Sequence, residues 1–175
     1  MHIFANTSLT SNVECILFEL LMLVTIETEE FSDQKCDASF SLKGVSYYVY
    51  KRPHADEMIK WLNVSGIRVG IWTHETRRMT LAVLKHAFPL LKLSVSKGRK
   101  FIYTRRSCGV YNDILVKDLR RVSKKCLLVD FNDVQIAYNV ENNIPHVLLI
   151  DATCNLKKIF SFIRFKLKHK NMIRV

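Results

Sequence analysis

The chain is poor in residues that break or loosen structure, with 5 Gly and 3 Pro among its 175 residues. That scarcity excludes a collagen-like repeat, a low-complexity linker and a wholly disordered chain. No apolar run attains the ~18–20 residues of a membrane span. The longest, Cys15 to Ile26, carries Glu19 inside it and reads as a buried strand. The five cysteines form no Cys-x-x-Cys pair and no zinc spacing. Their number is odd and two lie in apolar runs, which predicts reduced, packed thiols in a reducing compartment. Met1 to Asn12 lacks Lys, Arg and a long apolar core, so it resembles neither a secretory signal nor an Arg-rich transit peptide. Acid is scarce as well, with 16 Asp and Glu against 27 Lys and Arg and a net charge of +11. A charge of that sign favours anionic partners.

What is present is a globular composition, 49% hydrophobic and 25% charged, at a length that suits one domain. Phe40 to Tyr50 alternates around Lys43-Gly44 and predicts a hairpin. Pro53 with Asp56 and Glu57 marks a helix start, and Gly66 closes that helix. Ile67, Val69 and Ile71 alternate as a strand ending at Thr73. A second helix fits Glu75 to Phe88, capped by Thr73 or His74 and stopped by Pro89. Cys126 to Val129 and His146 to Ile150 are short apolar runs halted by Asp130 and Asp151. Such runs separated by helices predict parallel strands buried on both faces, hence an α/β fold working at the strand carboxyl ends. Leu156, Ile159, Phe160, Ile163 and Leu167 form the stripe of a closing helix.

Polar residues at predicted strand ends are therefore the candidates for chemistry: Glu19, Thr73, Asp130 and, more loosely, Lys117. Their setting carries a resemblance. Lys51-Arg52-Pro53-His54 followed by Asp56-Glu57 is similar to the "KRPh-x-DeF" segment of the NLI-interacting-factor-like phosphatases, relatives of the carboxy-terminal-domain phosphatases in the haloacid dehalogenase superfamily. Arg106-Ser107-Cys108 with Val116-Lys117-Asp118-Leu119 resembles the family's "R-x-C…VKDL" block. Leu128-Val129-Asp130 resembles its late acidic strand end, and Asn142 with Ile144-Pro145 its "N-x-[IV]-P". The likeness runs from Val13 to Phe165. It implies a three-layer α/β fold of the haloacid dehalogenase type, with a central parallel sheet and a small β-hairpin insertion. The domain would span residues 13–167, after a short extension (1–12) and before a basic tail (168–175).

The resemblance also implies a phosphate clamp at Thr73 and Lys117 and a metal ligand at Asp130, with Asp133 as a possible second. The departures are larger. Family members that hydrolyse phosphate carry Asp-x-Asp-x-Thr after the first strand, the first Asp attacking phosphorus and the second moving the proton. Here the motif falls on Glu19-Leu20-Leu21-Met22-Leu23. The attacking carboxylate is one methylene longer, and Leu21 neither donates nor accepts a proton. A silent phosphatase-like domain is the expectation, needing no cofactor. The alternative is a divergent phosphoserine/phosphothreonine phosphatase that uses magnesium.

Thr73-His74-Glu75-Thr76-Arg77-Arg78-Met79-Thr80 is similar to the "E-T-x-x-M-T" helix start of the Tim-fifty branch, the presequence receptor of the mitochondrial inner-membrane translocase. That implies a role in mitochondrial or mitosomal protein import, with translocase subunits or presequences as partners. For basic presequences, Glu27, Glu29, Glu30 and Asp33 form the candidate acidic cluster. The C-terminal basic residues from Lys157 to Arg174 suit an anionic membrane surface. Nucleic acid is disfavoured as a partner, because the lysines are scattered and no RNA-binding aromatic motif accompanies them. Plainer roles exist for each residue: Thr73 as a helix cap, Lys51 and Arg52 as a solvated hairpin end, Cys108 as a packed thiol.

Overall fold

A computed structural model describes residues 4–5, 14–93, 95–96, 99–122, 126–141, 147–149, 156–157 and 161. In chain order its strands are β1 (Phe4–Ala5), β2 (Cys15–Phe18), β3 (Val24–Glu27), β4 (Ala38–Leu42), β5 (Val45–Lys51), β6 (Arg68–Trp72), β7 (Val95–Ser96), β8 (Arg99–Lys100), β9 (Ile102–Tyr103), β10 (Gly109–Tyr111), β11 (Ile114–Val116), β12 (Cys126–Asp130) and β13 (Val147–Leu149). The helices are α1 (Ala55–Val64), α2 (Arg77–Ala87) and α3 (Asp133–Glu141).

The main sheet runs β1-β13-β12-β2-β6-β9. Every pairing in it is parallel except the β1–β13 edge. From β2 the chain steps outward to β6 and β9, then returns to lay β12 and β13 on the other side. Right-handed crossovers then put α1 and α2 on one face and α3 on the other. The expected α/β architecture is thus present, with a central parallel sheet between helical layers. The inner strands are apolar at successive positions because both faces are covered. Ile16, Phe18, Val69, Ile71, Leu127 and Val129 face one buried cluster with α1 and α2 residues. Leu17, Trp72 and Leu128 face a second cluster with Phe101 and Leu119.

The hairpin insertion is β4–β5, with β3 completing a separate antiparallel sheet. Lys43 and Gly44 both have positive φ, 55° and 79°, the two-residue turn that matches strand twist. Gly70 serves a different purpose. A Cβ there would lie 2.6 Å from Phe101 Cβ and 2.7 Å from Leu17 Cδ2. Phe101 passes against the β6 backbone, and only glycine leaves room. Gly70→Ala should therefore cost about 1–3 kcal/mol through overpacking, read as a lowered urea midpoint with an unchanged slope.

Three expectations need correction. Cys15 to Ile26 is not one strand: β2 ends at Phe18, a 3₁₀ turn covers Leu20–Met22, and β3 joins the other sheet. The Glu19 side chain accepts the Leu21 N–H at 3.4 Å, so the acid that looks interior to a strand caps the turn that ends it. Helix α2 starts later than expected and is capped by Thr76, whose hydroxyl accepts the Met79 N–H at 3.3 Å, not by Thr73 or His74. The reduced-thiol expectation fails for Cys15 and Cys126, which form a disulfide between adjacent parallel strands. They are 111 residues apart in sequence but direct neighbours in register. The closing-helix stripe and the basic tail lie almost wholly outside the described residues.

Candidate active-site cleft

The point where the sheet order reverses, between β2 and its neighbours, opens a crevice at the strand carboxyl ends. Glu19 sits one residue past β2, Thr73 one past β6, and Asp130 is the last residue of β12. Lys117 arrives from the side, just beyond β11. All four are buried to within 2% exposure or less. Leu21 lines the same cavity, with His74, Glu75, Phe131 and Asn132. The structure therefore brings Glu19, Leu21, Thr73, Lys117 and Asp130 together. Asp133 opens α3, but its side chain lies outside the described residues.

A single hydrogen-bonded network joins the four buried polar residues. Thr73 Oγ1 donates to Glu19 Oε1 at 2.5 Å and accepts the Glu75 N–H at 3.1 Å. Lys117 Nζ donates to Glu19 Oε2 and, at 2.6 Å, to Asp130 Oδ2. Asp130 Oδ1 accepts the Asn132 N–H at 3.0 Å. Each carboxylate oxygen thus has a donor from the chain itself. Thr73 and Lys117, the residues expected to clamp phosphate, both point their donors at Glu19. The extra methylene of Glu19 lets it reach both.

Lys117 is held by residues the sequence reading missed. Its N–H donates to Gln135 Oε1 at 2.7 Å, and its carbonyl accepts from Asn139 Nδ2 at 2.9 Å. Gln135 Nε2 also reaches the Leu115 carbonyl, and Asn139 Oδ1 accepts the Leu119 N–H. Two fully buried amides one helical turn apart on α3 thus fix the extended segment carrying the lysine. The detectable signal was two amides at i and i+4 inside an otherwise apolar helix. Arg52 secures the other wall, its Nε donating to the Leu21 carbonyl at 3.0 Å.

Burial dominates the electrostatics. Desolvation pushes the Asp130 carboxyl above its ordinary range, against the pull of the Lys117 ammonium. His74 is pushed below the usual imidazole value by burial and then by Lys117. The Cys108 thiol is raised by burial, which suits a packed thiol and not a nucleophile. Magnesium fits this arrangement poorly. It seeks several hard oxygen ligands in octahedral order, and two of the carboxylates in the cleft, Glu19 and Asp130, converge on an ammonium with each of their oxygens engaged. Among the described residues, no group of three His, Cys, Asp or Glu side chains gathers to hold a metal.

A family model for NLI interacting factor-like phosphatases matches residues 19–174. The chain belongs to that family. Among curated proteins, Phosphatase Herzog of Drosophila melanogaster is 27% identical over 121 residues, covering 64% of this chain and 31% of the fly protein. Among solved structures, Fcp1, an essential RNA polymerase II CTD phosphatase, superposes with a TM-score of 0.56 at 16% identity, covering 83% of this chain and 43% of that one. Fission yeast Fcp1 bound to beryllium fluoride gives 0.56 at 15% identity, covering 82% and 42%. These structural likenesses establish the haloacid-dehalogenase-type fold. The chain spans under half the length of each of these relatives.

Proposed function

We propose that this family domain no longer hydrolyses phosphate esters and acts by binding protein. One observation carries the reading: Leu21 lines the cleft beside a Glu19 whose two oxygens are both engaged, by Thr73, the Leu21 N–H and Lys117. A nucleophile must present a free lone pair to phosphorus, and a leaving alkoxide needs a proton donor nearby. Glu19 is held by its own neighbours, and Leu21, at the position from which the family moves the proton, can supply none. The buried network instead behaves as a structural bolt across β2, β6 and β12.

The finer reading is a role like that of the Tim-fifty branch in mitochondrial or mitosomal import, with no cofactor. Two features support it. The Thr73–Thr80 helix start resembles that branch, and the acids Glu29, Glu30 and Asp33 lie exposed on the loop before β4. Glu30, Phe31 and Asp33 line a shallow hollow there with Lys35, two carboxylates and an aromatic ring against one ammonium, which favours basic, amphipathic segments. Tagged protein should concentrate at an organelle membrane and crosslink to translocase subunits. A diffuse cytosolic or nuclear signal would overturn the import role.

The second reading is a divergent magnesium-dependent phosphoserine/phosphothreonine phosphatase. It is favoured by the names of the fly relative and of the two solved neighbours, all phosphatases. It requires aryl-phosphate hydrolysis that magnesium supports and Glu19→Gln abolishes.

A further inference from the structure

We infer that the hairpin β10–β11 is a docking edge for an extended acidic segment of a protein partner, added as a third strand beside β10. This holds whether or not the cleft hydrolyses phosphate. Val110 is 71% exposed and Ile114 44%, and among the described residues no third strand joins the pair. The turn residues Asn112 and Asp113 both have positive φ, 47° and 61°, and they connect the directly opposed Tyr111 and Ile114. In a two-residue turn of this kind the opposed pair exchanges the hydrogen bonds, so the backbone groups of Val110 and Leu115 point outward. The Leu115 side is closed, since its carbonyl accepts Gln135 Nε2 at 2.9 Å. The Val110 side is open: no described residue bonds its N–H or its carbonyl. Such an edge is a template for another strand. It is three residues long, so its backbone alone binds weakly and the side chains must select the partner.

Charge gives an independent pointer to that partner. Arg105 and Arg106 lie just before β10, where the Arg105 carbonyl accepts the Cys108 N–H at 3.2 Å. Arg121 crosses the start of the same strand, its guanidinium nitrogen 3.6 Å from where a Gly109 Cβ would stand. All three are exposed, and none forms an ion pair among the described residues. Asp118 is taken by Arg120 Nε at 2.8 Å, which leaves Asp113, at the turn, to face three arginines. Carboxylates of an incoming strand would meet these guanidinium forks at the Gly109 end. Its apolar side chains, alternating, would cover Val110 on one face and Tyr111 beside Ile114 on the other. A second copy fits less well, because it brings the same arginines and the same net charge of +11. An anionic lipid surface also fits less well, because the tip that would enter it first carries Asp113.

The test pans a random dodecapeptide library displayed on phage against the whole chain, then titrates the enriched peptides in solution. The expected peptides combine Asp or Glu with β-branched residues and saturably shift the Val110 amide and the Ile114 methyl signals in NMR spectra. Val110→Thr with Ile114→Thr keeps the strand preference, removes the apolar contacts and should weaken binding by about tenfold or more. Arg121→Gln should weaken it several-fold and lessen its dependence on salt. Both variants replace exposed side chains, so their urea midpoints should stay at the parent value. Enrichment of basic peptides, no enrichment at all, or binding that ignores both variants would each overturn the inference. So would dimerisation of the free chain in sedimentation, or binding to vesicles rich in phosphatidylserine, if the paired threonine variant abolishes it, because a second copy or a lipid surface would then be what covers the edge.

Discussion

Lys117→Met should destabilise the domain by about 3–5 kcal/mol at neutral pH, a large share of the ~5–15 kcal/mol that holds a single domain folded. Lys117 is fully buried and its ammonium is the shared partner of Glu19 and Asp130. Methionine preserves the length of the stem but leaves two buried carboxylates facing each other without a counter-charge. In a working phosphatase, losing a phosphate-contacting lysine would chiefly abolish turnover. Here the consequence is predicted to be loss of fold. The triple variant Glu19→Leu, Lys117→Met, Asp130→Leu tests the same point from the other side. It removes all three charges and should recover much of the loss, because apolar replacement of a buried ionic group is often neutral or stabilising. Urea midpoints of the three proteins decide it.

Acid should act on the same network in a calculable direction. Folding raises the Asp130 carboxyl above its ordinary 3.8, so the fold prefers the protonated form. The stability from that preference is complete below pH 3.8 and is lost as the pH climbs through the raised value. His74 works in the opposite sense: its value is depressed below 6.5, so its contribution is present above pH 6.5 and is lost as the pH falls through the lowered value. The penalty of Lys117→Met should shrink on acidification, as the two stranded carboxylates take up protons. A penalty that stays constant from neutral pH to pH 4 would mean the carboxylates are not what the lysine neutralises.

The second large effect is a gain. Glu19→Asp combined with Leu21→Asp should raise magnesium-dependent hydrolysis of p-nitrophenyl phosphate by up to about 10⁴–10⁶-fold over the parent chain. Misplacing a reacting atom by ~1 Å costs on the order of 10²-fold, and losing a general acid/base costs ~10²–10⁴-fold. The structure supplies the geometric reason for each factor. A shorter Asp at position 19 withdraws from its contacts with Thr73 and Lys117 and frees a lone pair. An Asp at position 21 enters the cavity that Leu21 lines, with its backbone already fixed by Arg52. It also adds a carboxylate that no lysine already holds, which a divalent cation can use. Either single change should recover much less. If the double variant is as inert as the parent, the residues at 19 and 21 are not what silences the cleft.

Much of this site could be read from the chain because an open parallel sheet converts strand ends into a shared edge. Glu19, Thr73 and Asp130 each follow an apolar run, and those runs proved to be β2, β6 and β12 side by side. The Lys43-Gly44 turn was equally legible, since two successive positive φ values have a recognisable residue preference. The break after Phe18 was not, because apolar residues on both sides of Glu19 hide a turn that a buried acid creates. Long-range pairings left little local trace: the Cys15–Cys126 bond has no periodicity to detect, and the i, i+4 spacing of Gln135 and Asn139 marks a helix face without naming the Lys117 segment it holds. Thr73 and Lys117 do share the crevice, but which way their donors turn depends on the length of one side chain, Glu19, measured across three strands.

The most direct measurement is the initial rate of p-nitrophenyl phosphate hydrolysis by the purified parent chain, with magnesium and with chelator, beside its Glu19→Gln variant. The account predicts that all three rates coincide with buffer, since Glu19 is engaged by its own neighbours and Leu21 cannot move a proton. A magnesium-dependent rate that disappears in Glu19→Gln would contradict it, and would make this cleft an operating phosphatase centre.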